Sequence, residues 1–227
     1  MTHASLRFRT LAASAALLLA SAPAMAIKPF SANYQASYMG MQGSGLMKLE
    51  PAGDNRWRYT LRIKNSLADL SQSTLFEEHG GRWRPLSGSD SSKVLVKKSN
   101  KQASYDWSSG QASWTGDVKA DRKGPVKLEA GDLDALLINL ALVRDVADGK
   151  PLNYRMVEDG RIKQMQYTVA GKEQIEVGGK SQQATKVVNS SGDKQTIAWI
   201  VDGLPVPARI LQRNQGEDTI DLWVKAN

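Results

Sequence analysis

Two Arg-Trp-Arg strings, Arg56-Trp57-Arg58 and Arg82-Trp83-Arg84, are the residues of this chain best equipped to hold a ligand. Guanidinium groups grip phosphate or carboxylate in a fork, and indole rings stack on flat or apolar groups. Tyr59 and Trp107 extend the set. Arg56, Trp57, Tyr59, Trp83, Arg84 and Trp107 therefore form the candidate ligand-binding group, suited to an anionic lipid or an envelope glycan. A plainer reading competes with this one and is the stronger of the two. In a strand the side chains alternate, so the tryptophans would face inward and the arginines water.

Other chemistries have little to work with. Cysteine is absent, and His3 and His79 are the only histidines. Cysteine nucleophiles, iron–sulfur clusters and thiolate zinc sites are thereby excluded, and any metal would rely on oxygen ligands plus one imidazole. No metal site and no cofactor is expected. Asp132 and Asp134 form the one Asp-x-Asp pair, and helix capping accounts for it better than calcium binding does. His79 sits in Phe76-Glu77-Glu78-His79-Gly80, which reads as a turn, and no Gly-x-Ser-x-Gly elbow is present. A pair of carboxylates could still cleave a polymer, with Asp106, Glu158 or Glu173 as candidate acids. The net charge of +7 is modest for nucleic-acid binding, and no nucleic-acid partner is expected.

The elements that must position these residues begin with a leader. Arg7 and Arg9, the apolar run Leu11 to Ala20, and Ala24-Met25-Ala26 make the three parts of a secretory signal, cleaved after Ala26. The run is shorter than the ~20 residues a spanning helix needs, and no later stretch approaches that length. The expectation is a periplasmic protein made of residues 27–227, with no transmembrane segment after cleavage.

Short alternating segments fill the remainder. In Arg56 to Lys64, Trp57, Tyr59, Leu61 and Ile63 alternate with Arg56, Arg58, Thr60, Arg62 and Lys64. The first strand is expected at 31–39. Hairpins are expected at 102–115, around Ser108-Ser109-Gly110, and at 154–170, around Glu158-Asp159-Gly160. Strand signals at this spacing predict a mainly β domain, a curved antiparallel sheet or barrel of about 11–12 strands. One segment differs. Residues 132–147, DLDALLINLALVRDVA, carry leucines at helical spacing. They predict one apolar helix, capped by Asp132 and ended near Gly149, that packs against the sheet or plugs it.

Several strings have a familiar order. They are Tyr105-Asp106-Trp107, Asp132 to Leu140, Gly149-Lys150-Pro151-Leu152, Tyr154 to Gly160, Val169 to Glu173, and Trp199 to Ile210. Together they resemble a bacterial secreted family catalogued as domain of unknown function 3108, over about residues 30–222. The resemblance implies a β-rich exported fold and carries no catalytic residues with it. The family commonly has Phe-Asp-Trp where this chain has Tyr105-Asp106-Trp107. It commonly has Pro-Val-Arg where this chain reads Pro205-Val206-Pro207-Ala208-Arg209.

Three functions follow as expectations. The leading one is a non-enzymatic binding or carrier protein for an apolar or anionic envelope ligand, a lipid or a glycan. The alternatives are a carboxylate-dependent enzyme on an envelope polymer and a structural partner of an envelope assembly. A cavity lined by Trp57, Tyr59 and Trp83 would favour the carrier; two acids converging in a polar cleft would favour the enzyme.

Overall fold

The computed structural model describes residues 27–225, so the expected leader, 1–26, lies outside the described residues. Fifteen strands and one α-helix follow in order. They are β1 (Phe30–Tyr38), β2 (Met41–Pro51), β3 (Arg56–Asn65), β4 (Ala68–His79), β5 (Arg82–Val94), β6 (Lys97–Asp106), β7 (Gln111–Gly116), β8 (Val126–Lys127), α1 (Ala135–Ala147), β9 (Asn153–Glu158), β10 (Arg161–Gln166), β11 (Thr168–Val177), β12 (Lys180–Ser191), β13 (Lys194–Val201), β14 (Arg209–Asn214) and β15 (Glu217–Val224). Thirteen form one antiparallel sheet, ordered β11-β12-β13-β14-β15-β1-β2-β3-β4-β5-β6-β7-β8. The expected class is therefore found, as a curved sheet whose two edges stay unpaired with each other, and the strand count is higher than the sequence suggested. The hairpin β9–β10 is a separate two-stranded unit.

Strand alternation builds the inner face. Opposite residues of an antiparallel pair share a face, so rows can be read across the sheet. One row runs Leu49, Tyr59, Thr74, Gly88, Ala103, Trp114. The next runs Ala32, Met47, Leu61, Gln72, Asp90, Lys101. Each begins apolar on β1–β3 and turns polar or small on β4–β6. That change of side chain leaves room where the first strands are packed solid.

α1 lies on this inner face. Leu136, Leu137, Ile138, Leu140, Ala141 and Leu142 are all buried, and they join Tyr34, Met47, Tyr59 and Phe76 in the main core. A helix apolar almost all round must be enclosed, which agrees with the expectation. Its start needs correction. The N-cap is Asp134, whose carboxylate accepts from Leu137 N, and not Asp132. Asp132 binds Arg155 instead, at 2.5 Å, and accepts from Glu129 N at 2.8 Å. Gly149, at φ +64°, follows the last turn, and Lys150 N closes back on Asp145 O at 2.8 Å.

Smaller adjustments have local causes. The arm expected at 165–170 breaks at Tyr167, because Tyr167 N leaves the hairpin to bond Leu152 O. β6 starts at Lys97, well before the expected 102, since its first turns face polar space and carry no apolar alternation. Val157 on β9 packs with Tyr105, Ala112 and Trp114, so the small hairpin is anchored against β6 and β7.

Candidate functional site

The polar end of the inner rows is where chemistry collects. Gln72 and Thr74 come from β4, Gly88 and Asp90 from β5, and Lys101 and Tyr105 from β6. With Asp134 of α1's cap and Glu158 at the end of β9 they line a cleft of about 180 Å³. Gly88 matters by what it lacks: a Cβ there would meet Ala103 Cβ at 3.4 Å and Asp134 Oδ2 at 3.9 Å.

The acids of the cleft are not equivalent. Asp134 is committed to structure, accepting from Leu137 N at 2.8 Å and from the Thr74 hydroxyl at 2.5 Å. Burial pushes its carboxyl above the ordinary range. Glu158 is pushed up to about 8, first by burial and then by the negative charges of Asp134, Asp90 and Asp159, with Lys101 opposing. At neutral pH it therefore carries its proton and can donate a hydrogen bond. Lys101 bonds Asp159 at 3.2 Å and stands opposite Asp90 in the register.

The cleft shares Gln72, Asp90, Lys101 and Glu158 with a larger cavity of about 580 Å³. Its other side carries Leu61, Ile63, Leu70, Ile138, Met165 and Leu222, interrupted by Asn139, Lys163, Lys194, Thr196 and Gln212. The lumen thus carries its large apolar side chains mainly on β3, α1 and β15, and on β5, β6 and β9 the group Asp90, Lys101 and Glu158.

Of the six residues singled out from sequence, none lines the cleft or this cavity. Five lie toward the far end of the sheet, and Tyr59 stands opposite the cleft's Thr74 in the register. Tyr59 is fully buried, its hydroxyl on Met47 Sδ at 3.2 Å. Trp57 and Trp83 are half-buried against the main core, and Trp83 lies beneath the Arg144 guanidinium at 4.3 Å. Arg56 is exposed, opposite Glu77 in the register. Arg84 binds that same Glu77 at 2.6 Å and lies 5.6 Å from the centre of the Trp107 ring, whose Nε1 donates to Pro85 O. Trp83 alone borders a groove of its own, about 330 Å³, with Phe30, Leu49, Leu140 and Arg144.

Among the candidate acids only Glu158 reaches the lumen. Asp106 caps the turn after β6, accepting from Ser108 and Ser109, which hold it well below the usual carboxylate range. Glu173 is exposed and bonds Lys186 and Trp199 Nε1. His79 is exposed at the end of β4.

A family model described as "Protein of unknown function (DUF3108)" matches residues 33–222. The chain belongs to this family. No curated protein matches it. Among solved structures, it is similar to a beta-barrel-like protein of the domain of unknown function DUF1849 from Brucella abortus. That match has a TM-score of 0.52 at 10% identity, over 86% of this chain and 95% of that one. The likeness concerns the fold alone.

The sequence does hold a trace of the lumen. On β3 every second residue is large and apolar. The corresponding positions of β5 and β6 are Gly88, Asp90, Ser92 and Ser99, Lys101, Ala103. A strand whose inner face has lost its apolar side chains faces a space rather than a core. Read that way, β5 and β6 mark the cavity wall.

Proposed function

We propose that the protein is a non-catalytic periplasmic carrier that encloses an amphiphilic envelope ligand in the lumen of its curved sheet. The observation that supports this is the cavity of about 580 Å³ in which apolar side chains such as Leu61, Leu70 and Leu222 share the lining with polar ones, among them the Asp90–Lys101–Glu158 group. The volume falls in the range of about 300–1,000 Å³ typical of small-molecule sites. An acyl or other apolar portion would lie along Leu61, Leu70 and Leu222. A hydroxyl or amide head would meet the protonated Glu158 and the Lys101 ammonium. Export rests on the leader read in residues 1–26.

The experiment is native mass spectrometry of protein purified without detergent, paired with uptake of the apolar fluorescent probe N-phenyl-1-naphthylamine. An amphiphile should co-purify, and the parent should take up the probe. Ser92 lines the cavity near its mouth, so Ser92→Trp should obstruct entry and weaken both signals while the fold persists. A parent that carries no adduct and takes up no probe would overturn the reading.

One observation favours a second reading, a carboxylate-dependent enzyme: Glu158 holds a proton beside Asp90, as a general acid would. Asp90 and Glu158 do converge in the polar cleft, and among the described residues no cavity is lined by Trp57, Tyr59 and Trp83 together. The carrier is preferred because Asp134 is bound on both oxygens and the adjoining cavity of about 580 Å³ presents apolar side chains that a carboxylate pair does not require. Turnover of an envelope polymer that vanishes in Glu158→Gln would reverse that preference.

A further inference from the structure

Five of the seven large apolar side chains exposed among the described residues stand on three adjacent turns at one end of the sheet. Met39 and Met41 flank the turn between β1 and β2, Leu67 lies between β3 and β4, and Leu95 and Val96 lie between β5 and β6. Val96 is 94% exposed, Met39 65% and Leu95 61%. These turns are bonded to one another. Asn65 donates to Tyr38 O and Met41 O and accepts from Leu67 N, while Leu95 N donates to Leu67 O at 2.7 Å. Single exposed apolar residues are ordinary, whereas a contiguous group marks an interaction surface.

The backbone gives an independent sign. Met39 and Leu95 hold φ of +52° and +55°, the left-handed region that favours glycine and asparagine. The other non-glycine residues there are polar, namely Asn55, Asp159 and Gln215. At this end alone, large apolar side chains occupy positions that disfavour them locally and expose them to water.

Charge identifies the occupant. Lys64, Lys93, Lys97 and Lys98 flank the apolar tips, and among the described residues none of the four forms an ion pair. Lys93 stands directly opposite Lys98, a like-charge pairing that a sheet normally avoids. Asp69, between Lys64 and Lys93 in the register, is held by both Nε and Nη2 of Arg62. The geometry points to a membrane-docking rim: the tips of Met39, Leu67, Leu95 and Val96 insert into an anionic phospholipid bilayer, and the four lysines meet its headgroups. Tyr38, Ile63, Ser92 and Ser99, just inside these turns, line the large cavity, so the rim borders its mouth. The inference stands on the rim alone and goes beyond the lumen's occupant.

The test is co-sedimentation of the full protein with vesicles of phosphatidylethanolamine containing phosphatidylglycerol, against vesicles of phosphatidylcholine only. The parent should bind the anionic vesicles, and added salt should weaken the binding. Lys97→Gln and Lys98→Gln should each lower affinity by about fivefold. Leu95→Asn with Val96→Ser should lower it at least about tenfold. Leu95→Asn alone should raise the melting temperature while weakening binding, an outcome that misfolding cannot mimic. Absence of binding by the parent at low salt overturns the inference. So does a parent dimer in solution that the double variant dissociates, because the tips would then pack on a second copy. Weakened probe uptake in Ser92→Trp with vesicle binding retained would separate this rim from the lumen.

Discussion

Glu158 keeps its proton because burial and three neighbouring acids all disfavour the charge. The consequence for stability has a definite sign. Its carboxyl rises from about 4.5 in the unfolded chain to about 8 in the folded one, so between those values the folded state binds more protons. The group's contribution is complete below about pH 4.5 and is lost as pH rises through about 8. Asp134, also raised by burial, acts in the same direction. Glu158→Gln cannot ionise and should remove this part of the slope, gaining on the order of a few kcal/mol over the parent above pH 8. Melting temperatures of both proteins across that interval check it; parallel curves would mean that Glu158 is solvated. The sequence presented Glu158 as one of three candidate acids, with nothing to rank them. Asp106 is tied up locally, by Ser108 and Ser109 two and three residues on, which an Asp-x-Ser-Ser string does suggest. Glu173 is held by Lys186 and Trp199 of neighbouring strands, and position in the chain does not reveal that pairing.

At the scale of elements, Asp134 takes the capping role that spacing assigned to Asp132, and Asp132 binds Arg155. Asp134→Ala removes the cap of α1 and should cost about 1–2 kcal/mol. Asp132→Ala removes the closest partner of the Arg155 guanidinium, 17% exposed, leaving it only Glu129 at 3.5 Å and Lys127 O at 3.3 Å, and should cost more, about 3 kcal/mol. Urea unfolding of the two variants gives the order directly, and the reverse order would restore Asp132 as the cap. The helix itself was legible because its leucines repeat at 3.6 residues and Gly149 stops it. β3 was legible for the matching reason, with Trp57, Tyr59, Leu61 and Ile63 on one face. β5 and the start of β6 were not, since their lumen-facing residues, Gly88, Asp90, Ser92 and Ser99, are small or polar and carry no apolar rhythm. The Arg-Trp-Arg strings drew attention by composition. Their indoles lean on the core, and Arg84 is bound to Glu77, as alternation implies for strand ends near a surface.

At the scale of the molecule, every ladder but one among the described residues joins strands that are neighbours in the chain. The exception is β1 with β15, from Tyr34 opposite Val224 to Tyr38 opposite Ile220. This seam lies in the middle of the sheet order, with β2–β8 on one side and β11–β14 on the other. Tyr34, fully buried, reinforces it by donating to Pro207 O at 2.7 Å. Removing residues 217–227 should therefore split the sheet into two meanders rather than shorten it at an edge. The truncated protein should lose a single cooperative unfolding transition and the slow amide exchange of β1. Retention of both would show that the halves are joined by α1 alone.

The seam also imposes an order in time. A chain that emerges amino-terminus first presents β1 at the outset and its partner β15 last. Until those final residues arrive, β1 has one edge paired with β2 and the other open, a template for any passing strand. For most of its emergence the polypeptide is thus a half-built sheet with its most adhesive border at the centre of the future molecule. The last strand to appear is the one that makes the protein safe to release.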